Sequence, residues 1–126
     1  MSVRDNQNET KRNYTLLYEI EKCNADYGNS YDKEITLNDN PSNYKYVVCH
    51  TSCYDYSSKK LKHTETRIIP TCLLTNEHIP FCVLTAIHYE DHMNACITIN
   101  TTTAARIVGS GTNFLISYKI YGTNVL

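Results

Sequence analysis

The chain has no tryptophan, and it has no run of 18 apolar residues, the length that a membrane-spanning helix needs. Its first 13 residues read MSVRDNQNETKRN and lack the apolar segment of a secretory signal peptide. These absences predict a protein that is made in the cytosol and is not inserted into a membrane. No internal repeat or second composition divides the 126 residues, so the sequence predicts a single domain.

An excess of charge of either sign is also missing. The 12 basic and 13 acidic residues give a formal net charge of -1 and are spread along the chain. A nucleic-acid-binding domain would carry a basic patch or stripe. The charge pattern therefore argues against nucleic acid as a partner.

Six cysteines are present, enough for three disulfides. The missing signal peptide argues against an oxidising compartment and favours free thiols. Most of them stand in apolar, strand-like stretches, where a cysteine behaves as a small buried hydrophobic residue. They are Cys23, Cys49, Cys53, Cys72, Cys82 and Cys96.

No long stretch shows the 3.6-residue apolar period of a helix, whereas a period of two recurs. Between Tyr14 and Ile20 the even positions are all apolar or aromatic, and Phe114, Ile116, Tyr118 and Ile120 alternate with less apolar residues. This alternation predicts strands with one buried face. Further strands are predicted at 33–38, 43–51, 59–69, 81–90, 94–100 and 103–108.

Turn-forming residues separate these segments at 24–30, 38–41, 70, 76–80 and 109–111. About eight short strands at this spacing predict an all-β fold, an antiparallel β-sandwich that is jelly-roll-like. Residues 13–126 are predicted to form this domain, and residues 1–12 a polar N-terminal arm. The segment 109–111, Gly-Ser-Gly, is interpreted as a hairpin turn rather than a phosphate-binding loop, since no lysine and no helix follow it.

The sequence offers no convincing metal or catalytic site. Cys49 and Cys53, like His88 and His92, are four residues apart, which on a strand is about 13 Å and too far to share a zinc ion. No sequence pattern around the cysteines predicts a helix N-terminus there, where a thiol would be activated. The carboxylates fall in polar turns typical of solvated surface. We therefore predict no catalytic residue, no metal and no cofactor.

Tyrosine is abundant, with 11 residues, more than one core can hold. An exposed tyrosine offers a flat apolar ring with a polar tip, which suits stacking on sugars and protein interfaces alike. The alternative is that these rings are buried in the core or in a subunit interface. The candidate ligand-binding residues are Tyr27, Tyr31, Tyr54, Tyr56 and Tyr89.

The order of several short motifs resembles a known family. These are Leu17-Tyr18, Ile35-Thr36-Leu37, Asn43-Tyr44, residues 66–70 and the closing Tyr-Lys-Ile-Tyr-Gly of 118–122. Together they are similar to the C-terminal head domain of bacteriophage tail-fibre and receptor-binding proteins, over about residues 14–122. The resemblance implies a β-sandwich, a homotrimer in the virion that contacts other virion proteins and recognises a glycan on the host cell surface.

Members of that family follow a long fibre shaft, whereas only a short polar arm precedes the domain here. The alternative function is therefore a capsid decoration or head-fibre subunit with a purely structural role. An enzyme, most simply a small depolymerase, is a third hypothesis, and the sequence favours a non-enzymatic protein over it.

Overall fold

The computed structural model describes residues 13–58, 60–87, 92–111 and 114–126, with the backbone alone for 80–87, 92 and 93. The described residues form eight strands, one short helix and two 3₁₀ turns, the latter at Pro41–Asn43 and Thr71–Leu73. The helix, α1, is Asn24–Tyr27. The strands are β1 Tyr14–Ile20, β2 Ser30–Thr36, β3 Tyr46–Asp55, β4 Leu61–Pro70, β5 Ile79–Ile87, β6 His92–Ile99, β7 Ala104–Gly111 and β8 Phe114–Thr123.

The strands form two four-stranded sheets. Sheet 1 has the order β1-β8-β3-β4 and sheet 2 the order β2-β7-β6-β5. All neighbouring strands are antiparallel. The prediction of an all-β antiparallel sandwich of about eight strands is confirmed. The predicted arm, 1–12, lies outside the described residues.

The two ends of the chain are nested across the sandwich. The first strand pairs with the last in sheet 1, and the second pairs with the seventh in sheet 2. Between them, β3 and β4 pair within sheet 1, while β5, β6 and β7 follow one another in sheet 2. This nesting is the jelly-roll-like feature of the fold.

The core lies between the sheets as one cluster of buried side chains. In β8 the predicted inward face is confirmed, because Ile116, Tyr118 and Ile120 have no exposed surface. Ile97 and Ile107 of sheet 2 are equally buried. Burying an isoleucine side chain contributes about 1.5–3 kcal/mol, so these alternating positions hold the two sheets together.

Strand β1 departs from its predicted alternation. The register shifts between Leu16 and Tyr18, so that Leu17 is an extra residue in a β-bulge and is fully buried. Tyr14 and Leu16 consequently face outward, each 37% exposed, while Tyr18 packs against the core. The prediction that all even positions share one face is wrong because a bulge reverses the alternation.

The structure also differs from the sequence-based prediction at two segments that were predicted to be turns. The segment 109–111 is not a hairpin turn but the end of β7, paired with both β2 and β6. Glycine is needed at Gly109 because a Cβ there would lie 2.5 Å from the Tyr31 hydroxyl. The predicted turn at 24–30 contains α1, whose Asn24 side chain accepts a hydrogen bond from the Ile116 amide at 3.0 Å.

Candidate functional site

A groove of about 600 Å³ lies on the outer surface of sheet 1, on the side away from the core. Residues of β3, β4 and β8 form its floor, and the β3–β4 turn and the segment between β1 and α1 form its rims. Its volume falls within the range of about 300–1,000 Å³ that is typical of small-molecule sites.

The floor is a row of three hydroxyl side chains that come from three strands. Thr64 of β4 pairs with Ser52 of β3, and Ser52 also pairs with Ser117 of β8. Because neighbouring strands lie roughly 4.8 Å apart, the row extends across about 10 Å. Because these side chains are short, the row forms a depression, and the larger side chains on both sides of the row enclose it.

One wall of the groove is aromatic and aliphatic. Tyr54 is the next outward residue of β3 after Ser52, and it pairs with Leu61 on one side and Leu115 on the other. Tyr56 stands in the turn beyond and is 65% exposed. All four side chains line the groove.

The turn that carries Tyr56 is ordered by Asp55. One carboxylate oxygen of Asp55 accepts hydrogen bonds from the Ser57 hydroxyl at 2.8 Å and the Ser57 amide at 2.9 Å. The Ser58 amide adds a longer contact of 3.4 Å. The Ser57 hydroxyl is the largest cause that holds the pKa of Asp55 below its ordinary value of 3.8. Since charged Asp55 accepts these bonds, the turn is best ordered when the carboxyl group is ionised.

The opposite wall is polar and charged. His50 precedes Ser52 on the same face of β3 and pairs with Lys119 of β8. The Nδ1 atom of His50 lies 2.8 Å from the Thr66 hydroxyl. The Lys119 ammonium lies 3.6 Å from the Glu19 carboxylate, and both side chains are 39% exposed. Glu21 and Lys22 also line the groove, with Lys22 beside Ser117.

The floor retains hydrogen-bonding capacity for a ligand. The Ser117 oxygen accepts a bond from the Lys22 amide at 2.9 Å, which leaves its hydroxyl proton for another acceptor. Among the hydrogen bonds of the described residues, none uses the hydroxyl of Ser52 or Thr64. The groove thus presents three hydroxyl groups beside two tyrosine rings.

The structure brings two of the predicted ligand-binding tyrosines to this groove, Tyr54 and Tyr56. Tyr27 is half-buried elsewhere, packed against the core with the Lys33 ammonium 5.3 Å from its ring centre. Tyr31 is only 5% exposed and belongs to the core, so the expectation of an exposed ring is wrong for it. Its position is inward because β2 alternates toward sheet 1 there. Tyr89 lies outside the described residues.

Polar residues of the floor and of the charged wall were not predicted as site residues. They are Ser52, Thr64, Ser117, His50, Glu21, Lys22 and Lys119. The available signal was the alternation of β8, in which Leu115, Ser117, Lys119 and Tyr121 form the outward set. A serine at the middle of a strand leaves a depression only when its cross-strand neighbours are also small, and one strand alone does not reveal those neighbours.

The cysteines occupy mixed environments. Cys23, Cys49 and Cys53 are buried, whereas Cys72 is exposed and Cys96 intermediate. The side chain of Cys82 lies outside the described residues. Burial raises the pKa of Cys49 to about 12, so this thiol stays protonated at neutral pH. Within the described ranges, no group of three histidine, cysteine, aspartate or glutamate side chains is arranged to hold a metal ion.

In the part of the chain that the structure describes, no helix has the length and apolar character required to span a bilayer. Comparison with protein-family models, with curated proteins and with solved structures finds no significant match for this chain.

Proposed function

We propose that this chain is a lectin-like recognition module that binds a glycan in the groove on sheet 1. One observation carries the proposal: two tyrosine rings, Tyr54 and Tyr56, stand beside a row of three hydroxyl groups on a rigid three-stranded floor. Tyrosine rings pack against the apolar faces of sugars. The hydroxyl groups both donate and accept the hydrogen bonds that sugar hydroxyls offer.

Binding without hydrolysis is the activity that these residues support best. Canonical glycoside hydrolysis uses two carboxyl groups about 5–10 Å apart on either side of the bond that breaks. Among the described residues that line the groove, only Glu21 carries a carboxylate group. A single carboxylate at one rim suits ligand contact, and we therefore propose a non-enzymatic role.

The biological setting that we propose is the virion of a bacteriophage, with the module recognising the host surface. This part of the proposal rests on the order of sequence motifs that resembles tail-fibre head domains. A homotrimer, which the same resemblance implies, would join several weak sites into strong adhesion of the whole particle. The groove favours this role over capsid decoration, because a purely structural subunit needs no polar and aromatic ligand site.

Binding to an array of bacterial surface glycans tests the proposal directly. Tyr56→Ala removes an exposed ring, and Ser52→Trp fills the floor, so both changes should weaken binding; the loss of one ring contact corresponds to about three- to tenfold. Tyr14→Ala is the matched control, because Tyr14 is exposed on the same sheet but lies outside this groove. Purified protein should also block phage adsorption to host cells.

Retention of full glycan binding by both groove variants would refute the proposed site. If the protein binds no glycan but coats purified capsids, the decoration role is correct instead. Unfolding temperatures of all variants separate a loss of binding from a loss of folding.

A further inference from the structure

The charged side chains that line the groove include more cations than anions. The protein has a formal net charge of -1, yet two lysines, Lys22 and Lys119, line the groove against one glutamate, Glu21. His50 pairs with Lys119 across β3 and β8, and its Nδ1 atom lies 2.8 Å from the Thr66 hydroxyl. Ammonium groups at the edge of a concave surface raise the local concentration of anions.

The backbone holds Lys22 at this edge. Its φ of 51° lies in the left-handed region, which is unfavourable for a residue with a side chain. Two hydrogen bonds support that conformation: the Lys22 amide donates to the Ser117 hydroxyl, and the Cys23 amide donates to the Ile116 carbonyl at 2.8 Å. The segment is thereby fixed against β8, at the end of the hydroxyl row.

The ammonium group of Lys119 is only loosely engaged. Its contact with Glu19 is 3.6 Å long, and both side chains are well exposed. Such an ion pair contributes little free energy in water. An ammonium group has three donors, so Lys119 retains the capacity to bind an anion that enters the groove.

Tyr54 and Lys119 lie on opposite sides of the hydroxyl row, and Lys22 lies at its end beside Ser117. Tyr54 and His50 are four residues apart on β3, which corresponds to about 13 Å. We propose that the groove binds an acidic glycan, with a sugar ring against Tyr54 and Tyr56 and a carboxylate or phosphate group at Lys22 and Lys119. This inference rests on the proposed function, and it adds the chemical class of the ligand.

The test compares three groups of immobilised glycans: oligogalacturonates, which carry carboxylates; poly(glycerol phosphate), which carries phosphates; and neutral galacto-, gluco- and mannooligosaccharides. The native chain should bind at least one acidic group about tenfold more tightly than the neutral group. Raising the ionic strength from about 0.01 to about 0.1 M shortens the Debye length from about 30 to about 10 Å. This change should weaken acidic binding and leave neutral binding almost unaffected.

The double variant Lys22→Gln/Lys119→Gln should lose about five- to tenfold in affinity for the acidic group. The control Lys33→Gln/Lys45→Gln removes the same charge from two exposed lysines that do not line the groove, and it should bind as the native chain does. The comparison between carboxylated and phosphorylated glycans identifies the source of the negative charge.

Equal binding of acidic and neutral glycans, or equal losses in both double variants, would overturn the acidic-ligand inference while the glycan-binding function stands. Failure of the native chain to bind any of the three groups would overturn both. A Lys22→Arg/Lys119→Arg variant keeps the charge and should retain acidic binding, which distinguishes lost charge from a disturbed fold.

Discussion

The hydroxyl oxygens of Tyr31 and Tyr118 lie 2.6 Å apart in the interior of the sandwich. The first belongs to β2 in sheet 2 and the second to β8 in sheet 1, so this hydrogen bond joins the two sheets. The rings meet edge to face, with centres 6.3 Å apart and an angle of 86°. Burial is the largest cause that raises the pKa of Tyr31 far above its ordinary value of 10.0, and the neighbouring Tyr118 adds to it.

Tyr31→Phe and Tyr118→Phe each remove one oxygen from this pair without changing the rings. Each single change should lower the free energy of unfolding by about 1 kcal/mol, because a buried hydroxyl loses a partner. The double variant should lose less than the two single losses combined, since the second change removes the group that the first left behind. Chemical denaturation measures all three values. Strictly additive losses would show that the two hydroxyls are not coupled.

A second prediction concerns the contact between Gly122 and Tyr44. A Cβ at Gly122 would lie 2.5 Å from the Tyr44 ring, and that ring is anchored because its hydroxyl donates to Asp39 at 2.8 Å. Gly122→Ala should therefore destabilise the protein by about 1–3 kcal/mol. Gly111→Ala is the control, since the nearest side-chain atom to its Cβ would be 3.4 Å away on Ile116. A larger loss for Gly111→Ala than for Gly122→Ala would contradict the packing described here.

The general architecture could be predicted from the sequence because alternation of apolar residues reports burial directly. Strand β8 is the clearest example, with Phe114, Ile116, Tyr118 and Ile120 all on the core side. Two local predictions were wrong because the backbone at these positions depends on contacts with distant parts of the chain. The bulge at Leu17 and the extended backbone at Gly109 depend on partners, Asn38 and Tyr31, that come from other parts of the chain.

Only part of the candidate site could be predicted for the same reason. Tyr54 and Tyr56 were identified because an exposed aromatic ring is a chemical signal in itself. The row of Thr64, Ser52 and Ser117 exists only after three strands are brought into register, and Ser117 is 65 residues from Ser52 in the chain. Serine and threonine are common in strands, so the apolar periodicity of the sequence does not identify any of these three residues as a candidate site residue.

A third prediction follows from the burial of Tyr18. Burial is the largest cause that raises the pKa of Tyr18 from 10.0 to about 12, and contacts with Tyr27 add to it. Between these two values the unfolded chain releases the Tyr18 proton while the folded chain keeps it. The stability that this group contributes is therefore complete below pH 10 and decreases as the pH rises toward 12.

Tyr18→Phe removes this titration, so the variant should lose less stability than the native protein between pH 10 and 12. Below pH 9 the two proteins should differ by a constant amount, which reflects the lost hydroxyl group. Urea denaturation at a series of pH values measures both effects. Parallel stability curves through the whole alkaline range would show that Tyr18 does not titrate in this manner.

The final prediction concerns Asp55 and the turn that presents Tyr56 to the groove. Because the pKa of Asp55 is lowered, its contribution to the order of the turn is complete above pH 3.8 and is lost as the pH falls through the folded value, which is below 3.8. The amide NMR signal of Ser57, which donates to the carboxylate, should shift with a midpoint below 3.8. Ser57→Ala removes the hydroxyl donor that lowers the pKa most and should move the midpoint toward 3.8. A native midpoint at or above 3.8 would mean that these hydrogen bonds do not favour the ionised carboxylate and that another contact orders the turn.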